Sequence, residues 1–179
     1  VVRTNTISGL LAVGLTYVIL SGGIDLSVEE TACLAGLAAG YLSPSPVLAV
    51  LAGILIGVAV GLFNGFILEK SGAQPFIFTL AMSSFLRGLV LAITKGRNYY
   101  TIDPSFTAIV RSNILGIPSL IVMFLVIVVI TYFALNRARY GRYIYAVGSN
   151  EEAARLSGVR THRIKISAYV ISGVLSGLA

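Results

Sequence analysis

Long apolar runs occupy residues 7–20, 26–42, 47–68, 75–93, 114–135 and 166–179, with short polar segments between them. A helix needs about 20 residues to cross the hydrocarbon of a membrane. The runs 47–68 and 114–135 carry no charge and reach that length, and 75–93 carries only Arg87. The pattern predicts an all-α, polytopic bundle of transmembrane helices occupying the whole of 1–179. The first two runs are each short for a span. The segment between them, Ser21-Gly22-Gly23-Ile24-Asp25, therefore either lies tightly at the membrane surface or dips into the bilayer.

Two adjacent glycines favour a break in the helix at that point, and Ser27-Val28-Glu29-Glu30 has the form of a capping box that starts a new one. Two readings are open for Asp25 and Ser27. They either only cap the second helix, or the break at Ser21, Gly22, Gly23, Asp25 and Ser27 lines or hinges a translocation path. Irregular backbone is tolerated at membrane depth only where protein or a water-filled cavity covers it.

Further along, Pro44 and Pro46 punctuate the turn at 41–46, and Pro75 opens the next span where a missing N–H costs little. Within 47–68, Gly53, Gly57, Gly61 and Gly65 recur every four residues and lay a smooth face along which a neighbouring helix can approach closely. Gly36 and Gly40 repeat the spacing. Asn64 is read as an interhelical hydrogen bond. Thr16, Asn64, Thr79, Ser83 and Ser84 are candidates for recognising hydroxyls, with helix-to-helix bonding as the competing role for each. Arg87, toward the far end of its helix, is expected to snorkel to the headgroups, with a role in a translocation pathway as the second reading. The polar stretch 95–113 holds Asn98, Tyr99, Tyr100, Thr101, Asp103 and Pro104, a mixture suited to an interface or a partner.

Composition settles the class. Apolar residues make up 56% of the 179 and charged residues 11%, against about 25% charged in soluble domains, and the mean hydropathy is +0.91. The chain is read as an integral membrane protein in contact with lipid. Its basic residues border apolar runs, so nucleic acid is not the expected partner. Seven of the 13 Lys and Arg residues fall in 136–165 against Glu151 and Glu152, which leaves five of the six net positive charges in that segment. A short basic loop between spans marks the cytoplasmic side. Counting crossings back from it places 95–113 outside, 69–74 inside and 41–46 outside and, if 7–20 and 26–42 are separate crossings, Asp25 at the inner side and Val1 outside. The absence of a starting methionine and the unfinished last run give the expectation of an internal fragment with at least one span upstream. The single cysteine, Cys33, excludes an internal disulfide and any cysteine-based metal site.

No phosphate-cradling Gly-Lys-Ser/Thr loop is present, and the only histidine, His162, has no evident partner for acid–base or metal chemistry. The expectation is a chain that is not an enzyme, with no catalytic residue, bound metal or cofactor of its own. The basic segment also contains a short helix. Asn150 caps it, Glu151 and Glu152 supply negative charge in its first turn, Arg155 comes near its end, and Gly158 stops it after Ser157. Ala153, Ala154 and Leu156 give it small and apolar contacts. It is either an ordinary surface helix or one that lies in a groove of a cytoplasmic partner.

Three blocks carry a family resemblance: 20–28 (Leu-Ser-Gly-Gly-Ile-Asp-Leu-Ser-Val), Gln74-Pro75-Phe76-Ile77 through Leu86-Arg87-Gly88, and Gly141-Arg142 through 145–158. Together they resemble the ribose-type permeases of bacterial ABC importers. The resemblance implies a type II importer fold in the bacterial inner membrane, with two permease subunits paired and two cytoplasmic ATPases that hold ATP and Mg. A periplasmic or lipid-anchored binding protein would deliver a small sugar for inward transport by alternating access. It also implies that Asn150 to Gly158 form the coupling helix that docks on the ATPase. Tyr99 and Tyr100 are assigned to the binding-protein contact. Glu29, where the family usually has glycine, and Ser149, in place of a glycine before Asn150, depart from its pattern. A secondary transporter driven by an ion gradient is the alternative function. An intramembrane enzyme would need a second catalytic group near Asp25, and none is evident.

Overall fold

The computed structural model describes residues 2–97, 103–114 and 116–179. Proline and glycine set the ends of the long helices. Pro46 opens α3 (Pro46–Ser71), Pro75 opens α4 (Pro75–Thr94), and Gly72 closes α3 at φ +64°, donating its N–H to Leu68. Ahead of them run α1 (Val2–Leu20) and α2 (Val28–Tyr41). Behind them come α5 (Pro104–Arg111) and a two-residue antiparallel hairpin, β1 (Asn113–Ile114) with β2 (Ile117–Pro118). The chain finishes with α6 (Ser119–Asn136), α7 (Arg139–Ser149), α8 (Glu151–Leu156) and α9 (Thr161–Leu178).

The helices α3, α4 and α6 are long and apolar enough to cross a membrane, and Asn5–Leu20 is a shorter apolar helix. Their outward faces carry large apolar side chains such as Leu55, Phe66, Ile77, Phe85 and Ile130, each more than half exposed. The bundle is thus apolar outside as well as inside, as a lipid solvent requires. The 14 residues of α2 rise only about 21 Å, so the chain between α1 and α2 must enter the bilayer.

Three boundaries differ from the sequence expectation. The run 114–135 does not start a span at 114, because Gly116 at φ +82° and Pro118 turn the chain into the hairpin and α6 begins at Ser119. The basic segment 136–165 is mostly helical: α7 buries Gly141, Ile144 and Val147 against the bundle. The last helix starts at Thr161, before the apolar run, so Arg163 and Lys165 belong to α9.

At the centre stands α9, packed against α1, α2, α3 and α7. Its contact with α3 is antiparallel and backbone to backbone. A Cβ added at Gly53 would meet Gly177 O at 2.5 Å and one at Gly65 would meet Ile166 Cα at 2.9 Å, while Gly57 faces Gly173 and Gly61 faces Tyr169. The four glycines of α3 therefore form one seam, and α9 answers with two glycines of its own. On its other side α9 meets α1, where Gly14 lies against Ser172. An apolar core shared by α1, α6, α7 and α9 contains Tyr17, Leu135, Ile144 and Ala168.

The connections gather at two ends. Ser21 to Gly23, Glu69 to Pro75, and Val147 to Glu151 share one end with the start of α9. At the opposite end, Ser43 Oγ accepts the Asp103 N–H at 3.0 Å. The first end also holds the 136–165 cations and is called the basic end below.

Candidate functional site

The break between α1 and α2 is non-helical from 21 to 27, with Gly22 at φ +83°. Gly22 is required by that conformation, and Gly23 by close approach, since a Cβ there would lie 2.7 Å from the Tyr169 hydroxyl. Tyr169 donates to Ile24 O at 3.2 Å and Thr79 Oγ1 to the same oxygen at 3.4 Å. The exposed-backbone problem of a membrane-embedded break is solved by side chains of α9 and α4.

Asp25 is turned inward, 2% exposed, and accepts from Ser27 N at 3.0 Å, Ser27 Oγ at 2.6 Å and Ser172 Oγ at 3.3 Å. Asn64 Nδ2 donates to Ser27 Oγ at 2.8 Å, the interhelical bond read for it from sequence. Four buried polar residues thus tie the break to α3 and α9. The capping box does not form. Ser27, N-terminal to α2, makes no side-chain cap bond, because its hydroxyl goes to Asp25 and the Glu30 carboxylate goes to Arg87. That second pairing also corrects the snorkelling expectation: Arg87 Nη2 stands 2.7 Å from Glu30 Oε1, and Nε donates to the same oxygen at 2.8 Å.

Of the hydroxyl candidates, Thr16 bonds to Ala12 O and Ser84 to Leu80 O in their own helices. Thr79 also bonds Pro75 O, and Ser83 is half-buried. Tyr99 and Tyr100 lie outside the described residues.

At the basic end a cavity of about 370 Å³ opens among Ser21 to Gly23, the end of α3, the α7–α8 junction and the start of α9. Lys165 crosses it. Its Nζ is 3.1 Å from both carboxylate oxygens of Glu151 and 3.1 Å from Glu69 Oε2. One ammonium therefore joins the first turn of α8 to the ends of α3 and α9. Burial acts to lower its pKa, but the bonds and charges of Glu151 and Glu69 outweigh burial and hold it above the ordinary lysine value.

The helix α8 starts at Asn150, whose Oδ1 accepts from Ala153 N at 2.9 Å, and ends at Ser157 with Gly158 at φ +85°. Ala154 is buried, whereas Leu156 is 80% exposed, and Glu152 and Arg155 pair on the surface at 2.7 Å. The short helix thus holds one face on the bundle and offers an apolar side chain and charges outward.

The whole chain, residues 1–179, matches the model of a family described as "Branched-chain amino acid transport system / permease component". The chain belongs to this permease family. Among its relatives, the ribose import permease protein RbsC of Bacillus subtilis (strain 168) is 39% identical over 182 residues, covering 99% of this chain and 56% of that protein. The L-arabinose transport system permease protein AraH of Escherichia coli (strain K12) is 38% identical over 97% of this chain and 54% of its own length. The D-allose transport system permease protein AlsC of the same strain is 33% identical, with 98% and 55% covered. The permease chain therefore spans a little over half the length of these relatives. No solved structure matches it.

Family and architecture agree on an integral membrane protein, a transport component with an all-α bundle, as the three sequence blocks implied. Sequence reasoning missed Lys165 as a bridge, Ser172 as a partner of Asp25, and the Glu30–Arg87 pair. Gly173 and Gly177, spaced by four like the α3 glycines, were the available signal for the α3–α9 seam.

Proposed function

We propose that the chain is the membrane-spanning part of a permease subunit in an ATP-binding-cassette importer of a small neutral sugar. The family description names amino acids, but the relatives cited above are named for ribose, arabinose and allose, and the substrate class is taken from them. The observation that carries the reading is α8: a capped, two-turn helix with an exposed leucine, fixed to the spanning helices by the Lys165 bridge. A partner ATPase that binds the residues Asn150 to Gly158 would find there a lever already attached to the bundle. The basic end is cytoplasmic in this reading, in a bacterial inner membrane, and the opposite end meets a sugar-binding protein.

ATP and Mg are held by the partner ATPase, and a second permease subunit completes the path. Movement of α8 passes through Lys165 to α3 and α9, which move together because their glycine seam leaves no compliant side chain between them. The break at Ser21 to Ser27 serves as the hinge, since its polar ties face the bundle core rather than an open channel.

ATP-dependent uptake of radiolabelled sugars into vesicles holding the full-length protein, its ATPase and its binding protein tests the proposal. Accumulation that needs all three parts and ATP is expected. Uptake by the membrane protein alone, driven by a proton or sodium gradient, would overturn it in favour of a secondary transporter.

A further inference from the structure

The Glu30–Arg87 pair lies near the middle of a helix long and apolar enough to cross a membrane. Arg87 is 12 residues beyond Pro75 in the 20-residue α4, which puts it about 18 Å along a helix of about 30 Å. Yet the Arg87 side chain is 67% exposed. Beside it, Glu29, Cys33 and Gly36 form an exposed stripe on α2 at the i, i+4, i+7 spacing, and Ser84, Arg87 and Gly88 an exposed stripe on α4. Added Cβ atoms at Gly36 and Gly88 meet nothing within 4 Å, so the face is open as well as polar. On α4 the polar patch is bounded along the same stripe by the exposed Leu80 and Leu91, so it is confined to mid-helix, whereas the outward faces of α3 and α6 carry large apolar side chains. Charged groups at this depth are found facing a bundle interior or a water-filled cavity, not lipid.

We infer that the α2–α4 face exposing Glu29 and Arg87, with Glu30 buried behind the guanidinium, lines the water-filled path at mid-membrane and selects neutral polyhydroxylated substrates. This rests on the importer reading. Carboxylates accept hydrogen bonds from sugar hydroxyls, and the guanidinium, with donors to spare beyond Glu30, gives them to sugar oxygens. Two carboxylates against one guanidinium leave the face net negative, which repels phosphorylated or acidic sugars. Glu29, exposed and outside the ion pair, supplies the excess charge.

Cys33, one turn from Glu29 on the same stripe, is a built-in probe. The full-length protein with its ATPase and binding protein is reconstituted in vesicles and treated with cationic trimethylammonioethyl or anionic sulfonatoethyl methanethiosulfonate, with a Cys33→Ser control. With each rate normalised to that reagent's rate with a free small-molecule thiol, Cys33 is expected to react with the cationic reagent at least about tenfold faster, the effect of one nearby unit charge in a partly aqueous site. D-ribose with its binding protein and ATP should slow the reaction, and ribose 5-phosphate should not. Glu29→Gln should shrink the rate ratio several-fold, and Glu29→Asp should restore it. A Cys33 inert to both reagents in vesicles that take up sugar overturns the water-filled face. Equal rates for the two reagents, unchanged by Glu29→Gln, overturn the charge selection. If labelling follows the expected pattern in vesicles with no ATP-dependent uptake, the polar face stands and the importer reading fails.

Discussion

Gly57→Ala tests the seam on which the bundle is built. A Cβ at Gly57 would fall on the carbonyl oxygen of Gly173, 2.6 Å from its carbon and 3.2 Å from Val174 N. Ordinary contact begins near 3.4 Å, and every obstructing atom is backbone, which cannot rotate aside. The two helices must therefore part by more than about 1 Å, and the loosened packing propagates to Gly53 and Gly61 in the same seam. Overpacking of this kind costs about 1–3 kcal/mol, against a gain of about 0.5–1 kcal/mol from replacing a helical glycine by alanine. The net loss, about 1 kcal/mol at mid-range and up to about 2.5 kcal/mol, is expected to lower the apparent Tm of the detergent-solubilised full-length protein by a few degrees, at about 2–4 °C per kcal/mol. Gly88→Ala, where the added methyl meets nothing within 4 Å, is the stability control and should hold or raise the Tm. Because Gly57 and Gly173 obstruct each other, the double alanine variant should lose less than the sum of the single ones. Equal melting temperatures for Gly57→Ala and Gly88→Ala would refute the seam.

Three further outcomes follow from the same geometry. Asp25→Ala leaves the Ser27 N–H, the Ser27 hydroxyl and the Ser172 hydroxyl without their acceptor, and should cost about 2–4 kcal/mol, read as a drop in Tm that Asp25→Asn makes smaller. Asn150→Ala removes the cap of α8 at about 1 kcal/mol and should weaken co-purification of the ATPase, with Asn150→Asp close to the parent. Lys165→Met should lower sugar uptake per ATP hydrolysed about three- to tenfold while ATPase binding persists, an effect of about 1 kcal/mol for a bridge about one-third exposed. The raised Lys165 pKa means that its contribution is complete below the unfolded value of about 10.4 and is lost only as pH rises through the higher folded value. Uptake should show no Lys165-dependent change between pH 6 and 9, and Lys165→Arg should retain most of it.

The apolar runs declared the spanning helices because length and charge exclusion are local properties. The α3 glycines declared a groove for the same reason, but its occupant, α9, lies a hundred residues on. The α8 cap was legible because Asn150, Ala153 and Gly158 act within two turns. What failed was local chemistry overruled by distant charge. Ser27 and Glu30 have the spacing of a capping box, yet Arg87, 57 residues later, takes the Glu30 carboxylate, and Asp25 takes the Ser27 hydroxyl. A lone arginine in an apolar run and a lone acid pair in another were each read separately. Opposite charges in two neighbouring spans are better read as partners, since pairing offsets part of the cost of burying each in hydrocarbon. Lys165 escaped for a related reason: counted among the cations of a loop, it appeared as topology, although its position at the edge of the run from Ile166 already placed it within reach of Glu69 at the end of α3.

The break and the basic end share one joint. Gly148, in the last turn of α7, packs its backbone directly on the end of α1: a Cβ there would fall on Leu20 O and stand 3.5 Å from Gly22 N. A side chain at 148 would push α7 off α1, and a side chain at 23 would push Tyr169 off Ile24. Force applied to α8 therefore has two routes inward. One runs through the Lys165 ammonium to α3 and α9, and it stretches because a partly exposed ion pair is weak and readily lengthened. The other runs backbone to backbone from α7 into the start of the break, and it does not. In the proposed importer the stiff route would set where the break bends, and the ionic route would set how far α3 and α9 follow. Gly148→Ala should then impair transport more than Lys165→Met although it removes no charge, and the reverse order of severity would assign the coupling to the ion bridge alone.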